Sequence, residues 1–400
     1  MARQIVVGID IGTSTIKVII AEGLIEHTHI TPKIIGTGSS EAKSIYRGYI
    51  NNTNEAARSI SLAVNRAEKA AGVKVKRAYV SFGGIGLESL VANGSVIISR
   101  ADLEITDRDL NLALEGAEKN LPPNALLNRK IINTVPVEYK TDGKTVWGQV
   151  LGLKAQKLEV KVLFITCLEH HLTNLIKTIE EIGIEVIDVV ASPVAASFVT
   201  LSKKQKRVGC LLADFGAETL SIVVFENNNL VSLKVFPTGS SDITNDIALG
   251  LKISLENAED LKIGHDRRLV YSKKKLEEIV SARLRDSFEL IEAHLKSIGR
   301  DALLPAGILM IGGGAGITGI KSVAESTLKL PYQGAEIYFG NTEESRFKDR
   351  SWAVAAGLAI VGFNSDDEQR SIGIRNASLI ADRGRHWFRT ITHWLSQFLP

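Results

Sequence analysis

One short pattern occurs twice in this 400-residue chain, and it constrains the fold more than any other feature. Near the start, the apolar run Ile5–Asp10 and the β-branched run Ile16–Ala21 are parted by Gly12-Thr13-Ser14. Past the midpoint, Cys210–Asp214 and Leu220–Phe225 are parted by a turn containing Gly216, Ala217 and Glu218. β-Branched and aromatic residues favour the pleated strand, and glycine accepts turn conformations that a Cβ blocks. Each copy therefore reads as strand, tight turn, strand. An aspartate closes the first strand both times, Asp10 and Asp214, about 204 residues apart. Such a weak repeat implies two related lobes.

Around these copies strand and helix signals alternate, which predicts an α/β fold. Glu55–Ala71 has helical spacing and stops at Gly72, and a helix runs from the Thr106-Asp107 cap through Lys119. Leu172–Ile182 reads as a helix ended by Gly183, and Leu276–Ile298 as another. Strands are expected at Val75–Phe82, Leu90–Ser99, Lys130–Tyr139, Lys157–Val162, Leu163–Cys167 and Val186–Val190. The polar stretch Ser202–Arg207 marks a boundary, and Asn364–Gly384 reads as a flexible linker. Hydrophobic residues are 44% and charged residues 23%, enough for a large core. The net charge of +3 gives no argument for a nucleic-acid partner. No run reaches the roughly 18 apolar residues of a membrane span. The opening Met-Ala-Arg-Gln leads straight into a strand, so no signal peptide is expected. Cys167 and Cys210 lie in apolar runs, an expectation of two reduced core thiols in a cytoplasmic protein.

The twin turns carry the chemistry. A tight strand-turn-strand bares backbone N–H groups and hydroxyls that suit phosphate oxygens. Gly12, Thr13, Ser14 and Thr15 in one copy, and Gly216, Ala217, Glu218 and Thr219 in the other, are the candidate phosphate binders. Asp10 and Asp214 are placed to hold a hydrated Mg²⁺ through water, and Lys17 to reach a phosphate. A single such turn reads equally well as an ordinary hairpin with a capping aspartate; two copies in equivalent positions favour the phosphate reading. The P-loop pattern is absent. Gly83-Gly84-Ile85-Gly86 lacks the spacing of a dinucleotide loop. A second signal is the buried run Leu309–Ile311 leading into Gly312-Gly313-Gly314-Ala315-Gly316, which lets a flat ring lie against backbone or simply turns strand into helix. A third is Glu259 and Lys262, one helical turn apart, in isolation only a surface pair.

In this order the set resembles the actin, sugar-kinase and heat-shock-chaperone superfamily. The likeness to its cell-division branch, the FtsA family, spans essentially the whole chain. The stretches Val135–Tyr139, Gly152-Leu153, Leu158–Lys161 and Ile165–Cys167 carry it, as does Ala258–His265. Pro193–Ala196 and Ala353–Gly357 match the superfamily's connecting helices. The resemblance implies a two-lobed actin-like ATPase fold with duplicated ribonuclease-H-like lobes and a small α+β insertion in the first lobe. It implies a first-lobe core at 1–83, 163–201 and 350–363, the insertion at 84–162, and a second-lobe core at 202–241 and 305–349. A small subdomain would cover 242–304, a linker 364–382 and a terminal helix 383–400. It also implies ATP and Mg as cofactors, with Glu259 and Lys262 on ribose and adenosine and Gly313 and Gly314 behind the purine. Hydrolysis is expected to be slow or absent. Where filament-forming MreB has a glutamate before the connecting-helix proline, this chain has Ser192, which cannot serve as an equivalent base. A glutamate at 218 would also repel a γ-phosphate unless metal or solvent intervenes.

From Arg385 onward the pattern changes. At 100° per residue, Trp387, Phe388, Ile391, Trp394, Leu395, Phe398 and Leu399 fall within an arc of about 140°. Arg383, Arg385 and Arg389 flank it. Aromatic anchors with arginine at the polar boundary describe a helix lying in a membrane interface, against the plainer reading of a helix docked on the protein's own core. One such helix binds weakly, whereas many on one polymer bind firmly through effective concentration. The resemblance further implies self-assembly into filaments, recruitment of later division proteins, and peripheral attachment to the cytoplasmic membrane at the division site. It implies that the 242–304 subdomain binds the C-terminal peptide of the tubulin-like FtsZ, with Arg283 as the contact and Lys274 and Arg285 as neighbours. A pilus-assembly module of the PilM type and a sugar or acid kinase share parts of this pattern. A kinase needs no amphipathic tail, and the pilus module lacks one.

Overall fold

Each aspartate-ended hairpin forms as its sequence predicts and sits inside the same order of five strands. The computed structural model describes residues 3–26, 29–265, 271–339, 346–347 and 349–371. In the first lobe Arg3–Ile11 pairs antiparallel with Thr15–Glu26, with Asp10 opposite Lys17 and Ile11 opposite Ile16. The sheet order is Glu185–Ala191, Arg77–Phe82, Arg3–Ile11, Thr15–Glu26, His29–Glu41; the first three strands are parallel and the last three antiparallel. The second lobe repeats this order as Tyr332–Gly334, Ile308–Ile311, Cys210–Phe215, Leu220–Glu226, Asn229–Phe236, with the same change from parallel to antiparallel. The duplication visible in two short turns therefore extends over two whole sheets.

The segment between the first-lobe strands builds a unit of its own. Glu88–Ile97, Lys157–Leu168, Arg129–Thr141 and Lys144–Val146 form a sheet covered by the helix Asp107–Lys119. Asp109 accepts from the Thr106 backbone N–H at 2.9 Å, which completes the cap read from the sequence. The two strands expected at 157–162 and 163–167 are one strand, Lys157–Leu168. Its alternation serves two cores. Leu158, Val160, Val162 and Phe164 face the insertion, while Leu163, Ile165 and Cys167 face the main body. The insertion interrupts the first lobe in sequence, yet its sheet joins the second lobe. Glu88 pairs with Lys234, and Ser89 Oγ donates to the Leu233 carbonyl at 3.1 Å, making one nine-stranded sheet.

Two helices run between the lobes, Ser192–Thr200 and Ala353–Ser371. They approach closely at Gly357, where a Cβ would lie 1.9 Å from the Ala195 carbonyl oxygen. The small residues read as connecting helices are thus needed for the crossing itself. The second helix continues to Ser371, eight residues into the stretch read as linker from 364. Ser202–Arg207, read as a polar boundary, is mostly the short helix Lys203–Val208, capped by Ser202 and Gln205. Cys167 and Cys210 are buried and free, and burial pushes both thiols up to about 12. No described helix is long and apolar enough to cross a membrane. The amphipathic stretch Trp387–Leu399 lies outside the described residues.

Candidate nucleotide cleft

The two hairpin turns line one cleft of about 630 Å³ between the lobes, within the range of small-molecule sites. From the first lobe come Asp10, Gly12, Thr13, Ser14, Thr15 and Lys17, and from the second Asp214, Gly216, Ala217 and Thr219. Asp10 is 8% exposed and accepts from Ser81 Oγ at 2.8 Å, while Ser81 Oγ accepts from the Ile11 N–H. The parallel strand Arg77–Phe82 thus fixes the carboxylate's direction. Burial raises the Asp10 carboxyl, outweighing Lys17 and Ser81, which lower it. Asp214 is pushed up to about 7, by burial first and then by the Asp10 charge, with Lys17 opposing. A carboxyl whose proton affinity is raised by a neighbouring carboxylate, as that of Asp214 is by Asp10, suits a cation held between the two.

The second turn is held by the helix that follows it. The Ser240 and Ser241 N–H groups donate to the Gly216 and Ala217 carbonyls at 2.9 and 2.8 Å. Glu218 departs from the expectation of a carboxylate facing the γ-phosphate. Its Oε2 accepts from the Arg47 backbone N–H of the other lobe at 2.7 Å, and the side chain is not part of the cleft lining.

Glu259 and Lys262 both line the cleft and are more than a surface pair. The Lys262 side chain is 6% exposed, and its Nζ lies 2.7 Å from Glu259 Oε2. The same Nζ donates to Thr244 Oγ1 at 2.9 Å and to the Ser240 carbonyl at 3.1 Å. Burial alone would raise the Glu259 carboxyl, but hydrogen bonds from Lys262 and Thr244 and the Lys262 charge hold it below its usual value. These partners lie in the helix Ser240–Leu251, which is why two residues read in isolation give no hint of them.

The glycine loop divides in two. Gly312 and Gly313 face the cleft together with Gly316 and Ile317. Gly314, expected behind the purine, and Ala315, a candidate nucleotide contact, are buried outside the lining, and a Cβ on Gly314 would meet the Phe215 ring at 2.5 Å. Gly312 has φ +84, and a Cβ there would lie 2.3 Å from Asp214 Oδ1, so glycine is required twice over. Residues not anticipated from the sequence complete the lining: Ser39, Ser240, Ile263 and the run Asp349–Trp352. The last leads directly into the Ala353 helix, next to the Ala353–Gly357 motif. Ser192, which stands where MreB has its glutamate, also lines the cleft.

The proposed partner surface is altered by the structure. Arg283 is not free: its guanidinium binds both oxygens of Asp246, Nε–Oδ2 at 2.6 Å and Nη2–Oδ1 at 3.0 Å. Lys274 and Arg285 are exposed on the same helix, Lys273–Ser297.

A family model described as "Cell division protein FtsA" matches residues 211–357, and one described as "SHS2 domain inserted in FTSA" matches residues 84–166. The curated cell division protein FtsA of Bacillus subtilis is 30% identical over 348 residues, covering 82% of this chain and 77% of that protein. The chain belongs to the FtsA family. The FtsA of Borreliella burgdorferi is 27% identical over 415 residues, covering 97% of this chain and 99% of its own length. That of Pseudomonas aeruginosa is 25% identical and covers 95% and 94%. Among solved structures, a PilM–PilN type IV pilus biogenesis complex matches with a TM-score of 0.64 at 16% identity, covering 89% of this chain and 98% of that one. MreB 5 of Spiroplasma citri bound to AMPPNP matches with 0.52 at 12%, covering 93% and 99%. At such identities these likenesses carry the fold, which is actin-like, and the FtsA relatives carry the role, which is cell division.

Proposed function

We propose that this FtsA-family chain binds ATP with Mg²⁺ between its lobes as a slowly turned-over structural cofactor, and works as a membrane-tethered polymer at the division site. One observation carries the nucleotide reading: two hairpins far apart in sequence bring Asp10 and Asp214 together in a cleft that also holds the Glu259–Lys262 pair. Asp10 and Asp214 would hold the Mg²⁺ through water, and the ion would neutralise phosphate charge. Thr13, Ser14, Thr15 and Thr219 offer hydroxyls, Lys17 a charge, and Gly12 and Gly216 open backbone for phosphate. Glu259 and Lys262 suit ribose hydroxyls, and Gly312 and Gly313 leave room for a flat base. Slow turnover is supported by the side chains at and beside the cleft. Ser192 supplies no base, Glu218 is engaged by Arg47, and Glu259 by Lys262.

The exposed cations Lys274 and Arg285, beside the Arg283–Asp246 brace, suit the acidic FtsZ C-terminal peptide. The insertion at 84–162 is the surface for filament neighbours and later division proteins. The Trp387–Leu399 stretch is the tether to the cytoplasmic membrane. The test compares the full chain with one ending at Asp382, each with ATP and Mg²⁺, by calorimetry and by electron microscopy on lipid. Both bind ATP, and only the full chain forms polymers on the membrane. Absence of adenine nucleotide binding overturns the cleft, and equal membrane binding by both chains overturns the tether. Phosphate release at a rate ordinary for kinases overturns slow turnover.

A further inference from the structure

We propose that Glu218 is a positioning residue, a latch that ties the second phosphate turn to the first lobe and sets how fast nucleotide leaves. The proposal rests on the nucleotide reading of the cleft. Glu218 Oε2 accepts from the Arg47 backbone N–H at 2.7 Å, across 171 residues of sequence and from one lobe to the other. A carboxylate accepting from an amide is a charge-assisted bond, stronger than its neutral counterpart. Its direction is fixed at both ends, so it reports the separation of the lobes.

On the first-lobe side, Arg47 and Gly48 form the tip of a small hairpin, Ile45–Tyr46 with Tyr49–Ile50, and both have positive φ, 49° and 81°. The tip is not free to follow a departing lobe. The Ile85 N–H donates to the Arg47 carbonyl at 3.3 Å, and the Gly86 N–H to the Tyr49 hydroxyl at 2.5 Å. Tyr49 stacks on His171 with ring centroids 3.6 Å apart and planes 4° from parallel. A Cβ on Gly84 would lie 2.2 Å from the Tyr49 ring and one on Gly86 2.5 Å from its hydroxyl, so these two glycines let the hairpin sit down. On the second-lobe side, Glu218 stands between Ala217 and Thr219, which line the cleft and are pinned by Ser241 and Gly216. Rotation of the lobes by the width of a water molecule breaks the bond, and nucleotide held between the turns cannot leave until it breaks.

The experiment loads the full chain with an N-methylanthraniloyl ATP and Mg²⁺ and chases it with excess ATP in a stopped-flow instrument. Wild type, Glu218→Ala and Glu218→Gln are compared. Alanine removes the acceptor, and release is expected to quicken roughly tenfold. Glutamine keeps a carbonyl acceptor without the charge, and its release is expected between the two. Association of the labelled nucleotide is expected to change less than about twofold, because the latch closes after entry. A side chain with a purely structural role gives no such graded order. Equal release from wild type and Glu218→Ala refutes the latch while leaving the cleft intact. A wild type that retains no labelled nucleotide refutes the cleft and the latch together. If the alanine variant does not fold, glutamine release indistinguishable from wild type refutes the latch.

Discussion

Replacing Lys262 by methionine tests a charge whose side chain is buried at the cleft. Methionine keeps the unbranched stem and loses the ammonium, so packing is largely preserved while three contacts vanish: Glu259 at 2.7 Å, Thr244 at 2.9 Å and the Ser240 carbonyl at 3.1 Å. Hydrogen bonds to a charged group contribute about 1.5–3 kcal/mol each, but removing the ion also removes its desolvation cost. The Glu259 side chain is 48% exposed, so water rehydrates the abandoned carboxylate and limits the penalty. The net expectation is about 2 kcal/mol of lost stability at neutral pH, or about 2 °C in melting temperature. The pH dependence identifies the cause. The Glu259 carboxyl is held below its ordinary 4.5 in the folded protein. Its contribution is therefore present above the unfolded value and is lost as pH falls through the folded one. The gap between wild type and Lys262→Met should be full at pH 7 and narrow below about pH 4.5, read by thermal or urea unfolding at each pH. A gap that stays constant with pH, or one below about 0.5 kcal/mol at pH 7, refutes the assigned ion pair.

Asp214 makes the opposite prediction. Its folded carboxyl is raised to about 7, so the folded, nucleotide-free protein binds a proton that the unfolded chain has released. Stability should fall as pH rises from about 5 through 7, and Asp214→Asn should raise the nucleotide-free melting temperature while weakening Mg-dependent ATP binding in calorimetry. Gly312→Ala places a Cβ 2.3 Å from Asp214 Oδ1 at a φ of +84, so both stability and nucleotide retention should drop, the first by about 2 kcal/mol. Arg283→Glu sets two carboxylates together in place of the Asp246 brace and should lower the melting temperature. Arg285→Glu, at an exposed site, should leave melting unchanged and weaken binding of an acidic FtsZ peptide in fluorescence anisotropy.

What local chemistry controls was legible in the chain. The twin hairpins, the Gly72 stop and the Thr106 cap depend on contacts within a few residues, and each formed where its pattern stood. The duplication predicted two lobes, because a repeated strand-turn-strand must be completed by neighbours of the same kind. Partnership between distant side chains was not legible. Nothing near Glu218 names Arg47, nothing near Arg283 names Asp246, and Lys262 reads as a surface residue until the Ser240–Leu251 helix covers it. Within the glycine run, composition is uniform, and only the Phe215 ring decides which glycines pack and which face the cleft. Backbone conformation answers to sequence neighbours, whereas the protonation of Asp214, the burial of Lys262 and the closing of the cleft answer to what the fold brings within a few ångströms from elsewhere in the chain.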